Sequence, residues 1–246
     1  MAAAAAAAAL VFADMDGYLQ GVIGVTNQNM RGKLIAAGFR DLNALVKRKD
    51  DFAHKACVSV RKSTTGVGAT RDVSMEIETR LEQLVQYSKY RYVVQRPMDY
   101  NDATLDNLEM VHDWVQQLPE DPNADDVPKF TDGGNKKQWF ESLRNYLALK
   151  KGTTGFPILY VIRHEEALPA VDPGLGLPNL NDELSTRARH RGHFWAADKK
   201  TVWLFLVSKC QNTTAWSTIK AFQSTSNGRG AFMALLQSCV GTSDLQ

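Results

Sequence analysis

Apolar residues recur at helical spacing along most of this chain, and that periodicity limits what it can fold into. Ile77, Leu81, Leu84 and Val85 fall at i, i+4, i+7 and i+8, so the stretch from about Met75 to Val94 reads as one long amphipathic helix. Pro97 closes it. Leu105, Leu108, Val111, Val115 and Leu118 form the stripe of a second helix, and Trp139, Phe140, Leu143, Tyr146 and Leu147 that of a third, with Asn135 as its cap. One run, FPILYVIR at Phe156–Arg163, is strand-like, and it is too short to separate from a buried helical turn. Strands do not alternate with helices, which argues against a doubly wound sheet. The expected fold is mainly α: a multi-helix protein with room for one short strand or hairpin.

Three regions are expected. Residues 1–28 read as a tail, because Ala2–Ala9 is an unbroken alanine run with no positive charge ahead of it, unlike a signal peptide. Residues 29–70 read as a small helical module, with Leu34, Ile35 and Phe39, then Leu42, Leu45 and Val46, then Phe52 and Cys57 as apolar sets. Gly38 is its first helix stop, and Ser63–Thr70 its linker. Residues 71–246 read as one larger helical region. Within it, Pro119–Pro128 is an acidic loop and Glu165–Asn181 a proline- and glycine-rich one. Trp216, Ile219 and Phe222, then Phe232, Leu235, Leu236, Cys239 and Val240, mark helices near the end.

Charge and cysteine content exclude several classes. The 246 residues carry a net charge of only +2, so any nucleic-acid contact has to come from local clusters rather than a whole-molecule basic field. Cys57, Cys210 and Cys239 include no C-x-x-C pair, which argues against a disulfide framework or a zinc site and fits a reducing compartment. No apolar run reaches the length of a membrane span.

Four features carry candidate chemistry. ADMDG places Asp14 and Asp16 as in a Mg²⁺-dependent phosphotransferase of the haloacid-dehalogenase type, with Asp14 as nucleophile and Asp16 as acid/base. Its companion motifs at later strand ends are missing, and either aspartate serves as well to cap a short helix over Asp16–Ile23. His190 and His193 have ligand-like spacing but no carboxylate or cysteine beside them in the sequence, so no metal is expected. RARHRGHFW, followed by Lys199 and Lys200, gathers Arg187, Arg189, His190, Arg191 and His193 next to rings suited to base stacking. YSKYRYVVQR concentrates Tyr87, Tyr90 and Arg91 in the manner of a protein–protein interface, with packing between helices or a nucleic-acid face as alternatives.

Laid end to end, several segments resemble the Gag-like polyproteins of copia-type LTR retrotransposons from algae and other protists. They are SMEIETRLEQLVQYSKYRYVVQRPMDYNDATLDNL, TTGFPILYVIR, NTTAWSTIKAFQSTSNGRGAFMALLQ and, before them, the small helical module. The nucleocapsid zinc knuckle is absent, so the resemblance is to the capsid-like portion, or to a viral or domesticated relative. It implies a non-enzymatic structural subunit that assembles with itself into a shell or filament around nucleic acid, RNA by preference. No cofactor, membrane or small-molecule substrate is implied, and the place of action is the cytoplasm, in a virus-like particle or virion. Arg187, Arg189, His190, Arg191, His193, Lys199 and Lys200 would hold the nucleic acid. Tyr87, Tyr90, Arg91 and Arg229 would serve subunit contacts, although Arg229, beside glycines at a helix start, fits a capping or turn role equally. A helical adaptor for protein partners is the alternative, and the phosphatase a third.

Overall fold

The structure, a computed structural model, describes residues 12–62, 73–164 and 179–240. The alanine run, the Ser63–Thr70 linker and most of the Glu165–Asn181 loop lie outside the described residues. Eleven α-helices occur among those described, with no strand between them. None is long and apolar enough to cross a membrane.

The chain divides into two compact units, Met1–Tyr92 with Arg96–Trp114, and Val93–Gln95 with Val115–Gln246. Unit 1 holds α1 (Met15–Tyr18), a π turn at Leu19–Ile23, α2 (Gln28–Ala37), α3 (Leu42–Leu45), α4 (Phe52–Lys62), nearly all of α5 (Met75–Val93) and α6 (Leu105–Gln117) through Trp114. Short polar side chains start its helices. Asp14 accepts from Gly17 N at 2.8 Å, Asn27 from Met30 N at 3.1 Å and Asp41 from Ala44 N at 2.8 Å, each satisfying an orphan N–H. Gly38 ends α2 at φ 129°, a conformation that favours glycine.

Two expected boundaries move. The tail expected over residues 1–28 is core from Met15 onward, because Tyr18, Leu19 and Ile23 are fully buried and Tyr18 donates to Ala103 O at 2.6 Å. The module expected to close at residue 70 continues into α5. Arg61 on α4 donates to Val73 O at 2.8 Å and pairs with Glu78 on α5, so the two helices share one packing unit.

Unit 2 holds α7 (Lys136–Leu149), α8 (Leu180–Arg187), α9 (Gly192–Cys210), α10 (Ala215–Ile219) and α11 (Gly228–Val240), with 3-10 turns at Ala124–Asp126, Leu159–Ile162 and Lys220–Phe222. Asn135 caps α7 as expected, accepting from Gln138 N at 3.1 Å. α11 lies along α9 so closely that a Cβ on Gly228 would overlap Lys199 O and Trp203 N. The strand allowed for at Phe156–Arg163 is instead a 3-10 turn with one isolated bridge, Lys151 to Pro157. Pro157 has no N–H to extend a ladder. The run is apolar because Phe156, Ile158, Tyr160, Val161 and Ile162 are all buried within the unit.

Candidate nucleic-acid interface

The basic cluster is divided by a helix start inside it. α8 ends at Arg187, Arg191 is extended (φ −153°, ψ 163°), and Gly192, at φ 90°, opens α9. Residues before that point are built into the unit. Arg187 is 9% exposed and its Nε donates to Val94 O at 3.4 Å, while its own carbonyl accepts from Gln95 Nε2 at 3.3 Å. Arg189 N–H donates to Val93 O at 3.0 Å, so the junction is stitched along Val93–Gln95. His190 Nε2 lies 2.8 Å from Tyr160 O, and since a carbonyl only accepts, that nitrogen carries the proton. Its ring stacks on Trp195 at 4.4 Å and 19°.

Residues after the helix start face water. Arg191, His193 and Lys200 are exposed, and Lys199 is half-buried with Nζ 5.9 Å from the Trp195 ring centroid. Of the seven residues expected to bind nucleic acid, these four stand in the N-terminal half of α9 or just before it, and the helix dipole adds positive potential at Arg191 and His193. Arg187 is removed from the set, because its guanidinium is buried between the Val94 carbonyl and the buried Glu183 carboxylate, 3.9 Å away, and cannot reach a phosphate. Arg189 and His190 are half-buried and serve the junction.

Beneath the first turns of α9 lies a group the sequence reading passed over. Asp198 is fully buried, and its carboxylate accepts from Thr153 N at 2.8 Å, Thr153 Oγ1 at 2.9 Å and Tyr160 OH at 2.7 Å. Burial pushes its pKa up, and the three hydrogen bonds offset only part of that. The same burial, with the Asp198 charge beside it, raises the Tyr160 phenol far above its usual range. The clamp fastens the loop before the 3-10 turn to α9. A legible signal existed: Asp198 keeps helical register with Trp195, Val202 and Leu206, and a carboxylate on an apolar stripe needs partners.

Elsewhere in unit 2, Arg229 Nε donates to Arg163 O at 3.3 Å and Nη2 to His164 O at 2.8 Å. The side chain is thus held within its own unit, on the end of the YVIR turn. Arg163 in turn donates to Thr186 O at 2.6 Å near the end of α8. A concavity of about 330 Å³ at the start of α7 is lined by Lys129, Thr131, Lys136 and Trp139 among others.

The tyrosine–arginine face expected in unit 1 is interior. Tyr87, Tyr90 and Arg91 are 1%, 0% and 6% exposed. Tyr87 donates to Asp102 O at 2.8 Å, Tyr90 meets Trp114 edge-on at 5.9 Å, and Arg91 bonds Pro97 O at 2.7 Å and Asp102 at 2.6 Å. These side chains close the turn after α5 and are not available as an exposed contact surface. Asp14 caps α1 and Asp16 pairs with Arg31 at 2.9 Å, so both aspartates of the opening motif have local partners. Among the described residues no group of three or more His, Cys, Asp or Glu side chains is placed to hold a metal ion.

No protein family, curated protein or solved structure matches the chain. Its function is therefore argued from the residues and their placement.

Proposed function

We propose that the chain is a Gag-like, non-enzymatic capsid subunit that assembles with itself and holds nucleic acid, RNA by preference, against the start of α9. The observation that carries this reading is the contact of Arg229 with the carbonyls of Arg163 and His164. It joins two of the segments on which the resemblance rests, YVIR and NGRGAF, although they are 65 or more positions apart. Gly228 beside it is required by the close approach of α11 to α9, and Trp216 lies against Trp203, 6.4 Å between rings. Two of the segments on which the resemblance rests therefore pack together within unit 2.

Arg191, His193, Lys199 and Lys200 would make weak phosphate contacts, multiplied by assembly. Negative-stain microscopy with the 260/280 nm absorbance ratio before and after nuclease tests the reading. Regular particles or filaments with protected nucleic acid are expected. The triple change Arg191→Ala, His193→Ala, Lys200→Ala is expected to lower the co-purified nucleic acid and leave the fold intact. Small particles free of nucleic acid would overturn the reading. The separate packing of unit 1 favours a second one, an adaptor for protein partners, and a fixed small oligomer without nucleic acid would put it first.

A further inference from the structure

We propose that the site at the start of α9 takes single-stranded nucleic acid and not duplex, with a base laid on the exposed ring of His193 and the flanking phosphates held by Arg191 and Lys200. The inference rests on the nucleic-acid reading above and names the form of its ligand. His193, Ala196 and Lys200 follow one another at i, i+3 and i+7, and all three are exposed, so they form one outward stripe along the first half of α9. Arg191 stands exposed just ahead of it. The stripe sets a ring, a small residue and a cation in order, with about 10 Å of helix between His193 and Lys200. The ring is steadied from within the helix: its centroid lies 3.8 Å from that of half-buried Phe194, at 43°. Ala196, one turn on, has no bulk to hold a base off the helix.

The fold makes this stripe positive and narrow. Asp198 is the one acid of α9, and it is buried, its carboxylate spent on Thr153 and Tyr160, so no carboxylate of the helix stands beside the exposed cations. The cations that would widen the patch are drawn inward: Arg187 is buried, Arg189 is half-buried at the junction with Val93–Gln95, and Lys199 is half-buried near the Trp195 ring. Few charges remain to meet the two backbones of a duplex. A duplex also keeps its bases stacked on one another, so it offers this stripe phosphates alone. A single strand offers phosphates and the open face of a base, and a ring adds affinity only for the second. The other route to a duplex lays a helix in the major groove and reads base edges with polar side chains over successive turns. One turn past Lys200 the stripe presents Leu204, 57% exposed, which has no hydrogen-bonding group to do so.

The test is fluorescence anisotropy of the full chain with a labelled short oligoadenylate RNA, alone and paired with oligouridylate, at one fixed ionic strength. His193→Ala, His193→Phe and Lys200→Ala are compared with the parent, and circular dichroism checks that each is folded. The parent is expected to bind the single strand about fivefold or more tightly than the duplex. His193→Ala should lose that margin and His193→Phe, which restores a ring without an imidazole, should recover it. Lys200→Ala should weaken both forms alike, as the loss of a phosphate contact does. Duplex bound as tightly as the single strand, or His193→Phe no better than His193→Ala, would overturn this inference and leave the nucleic-acid reading standing. Binding of neither form would overturn that reading and the inference with it.

Discussion

The two units fasten their helices with different emphasis. Unit 1 buries cations and leaves their counter-charges at the surface. Arg31, Lys89 and Arg91 are 6%, 4% and 6% exposed, while the side chains of their partners Asp16, Asp50 and Asp102 are 43%, 85% and 51% exposed. Long stems span the space between helices, and carbonyls take up the remaining donors: Arg31 Nη1 reaches Val25 O at 3.1 Å and Thr26 O at 2.9 Å. Unit 2 has one such pair, Lys209 with exposed Asp125, but it also buries the carboxylates of Glu183 and Asp198 and brings backbones together. Gly228 admits α11 against α9, and a Cβ on Gly152 would overlap Ile158 and Asp198. Interhelix distance in unit 1 is set by adaptable side chains; in unit 2, at Gly228, it is set by backbone atoms that cannot yield. The difference predicts where each unit is brittle.

The largest effect is expected at Gly228. Gly228→Ala drives a methyl into the backbone of α9, where no side chain can swing aside, and should cost unit 2 about 3 kcal/mol. Hydrogen exchange read by mass spectrometry checks it. Protection should fall in α9 and α11 and stay unchanged in α4 and α5. Uniform loss across both units would show that they do not differ in this way.

Asp198 comes next. Asp198→Ala strands Thr153 N–H and the Tyr160 hydroxyl in the interior and should cost about 2–3 kcal/mol. Asp198→Asn keeps the shape, and its amide can donate to Tyr160 where the carboxylate accepted, so it should stay close to the parent. Denaturant midpoints of the two variants separate a hydrogen-bond clamp from mere space filling. Equal losses would remove the clamp. In unit 1 the matching change, Asp50→Asn, removes the counter-charge of Lys89, but solvent screens that partner, and about 0.5–1 kcal/mol is expected, shrinking with added salt.

Much of this architecture could be read from periodicity and caps. The long helix expected from about Met75 to Val94 is α5 at Met75–Val93, and Asn135 caps α7. What escaped was set by contacts distant in the chain. Phe156–Arg163 has the composition of a strand but no partner to pair with. The basic run reads as one loop until Gly192 starts a helix in its middle, which separates Arg187, inside, from Arg191, outside. Tyr87, Tyr90 and Arg91 look amphipathic enough for a surface, and they are put inside by Pro97–Ala103 folding back over Tyr87 and Arg91 and by Trp114 of α6 against Tyr90.

The smallest effect tests the comparison most directly, because its sign differs between the units. In unit 1, burial alone would raise the pKa of Glu78, but hydrogen bonds from His54 and Arg61 outweigh it and hold the carboxyl below its ordinary value. The folded unit then binds fewer protons than the unfolded chain near pH 4, so the stabilisation from this cluster is present above that range and is lost as pH falls through the folded pKa. In unit 2, Asp198 has a raised pKa, so between its unfolded value, about 4, and its folded one the native state holds the extra proton. That contribution is greatest in acid and declines as pH rises. Mild acidification should loosen the α4–α5 contact while it relieves the cost of burying the Asp198 charge. Exchange protection, corrected for the intrinsic rate at each pH, reads both in one sample. Asp198→Asn should flatten the response of α9 and leave that of α4 untouched, whereas parallel responses in the two units would mean that the buried carboxylate is not what separates them.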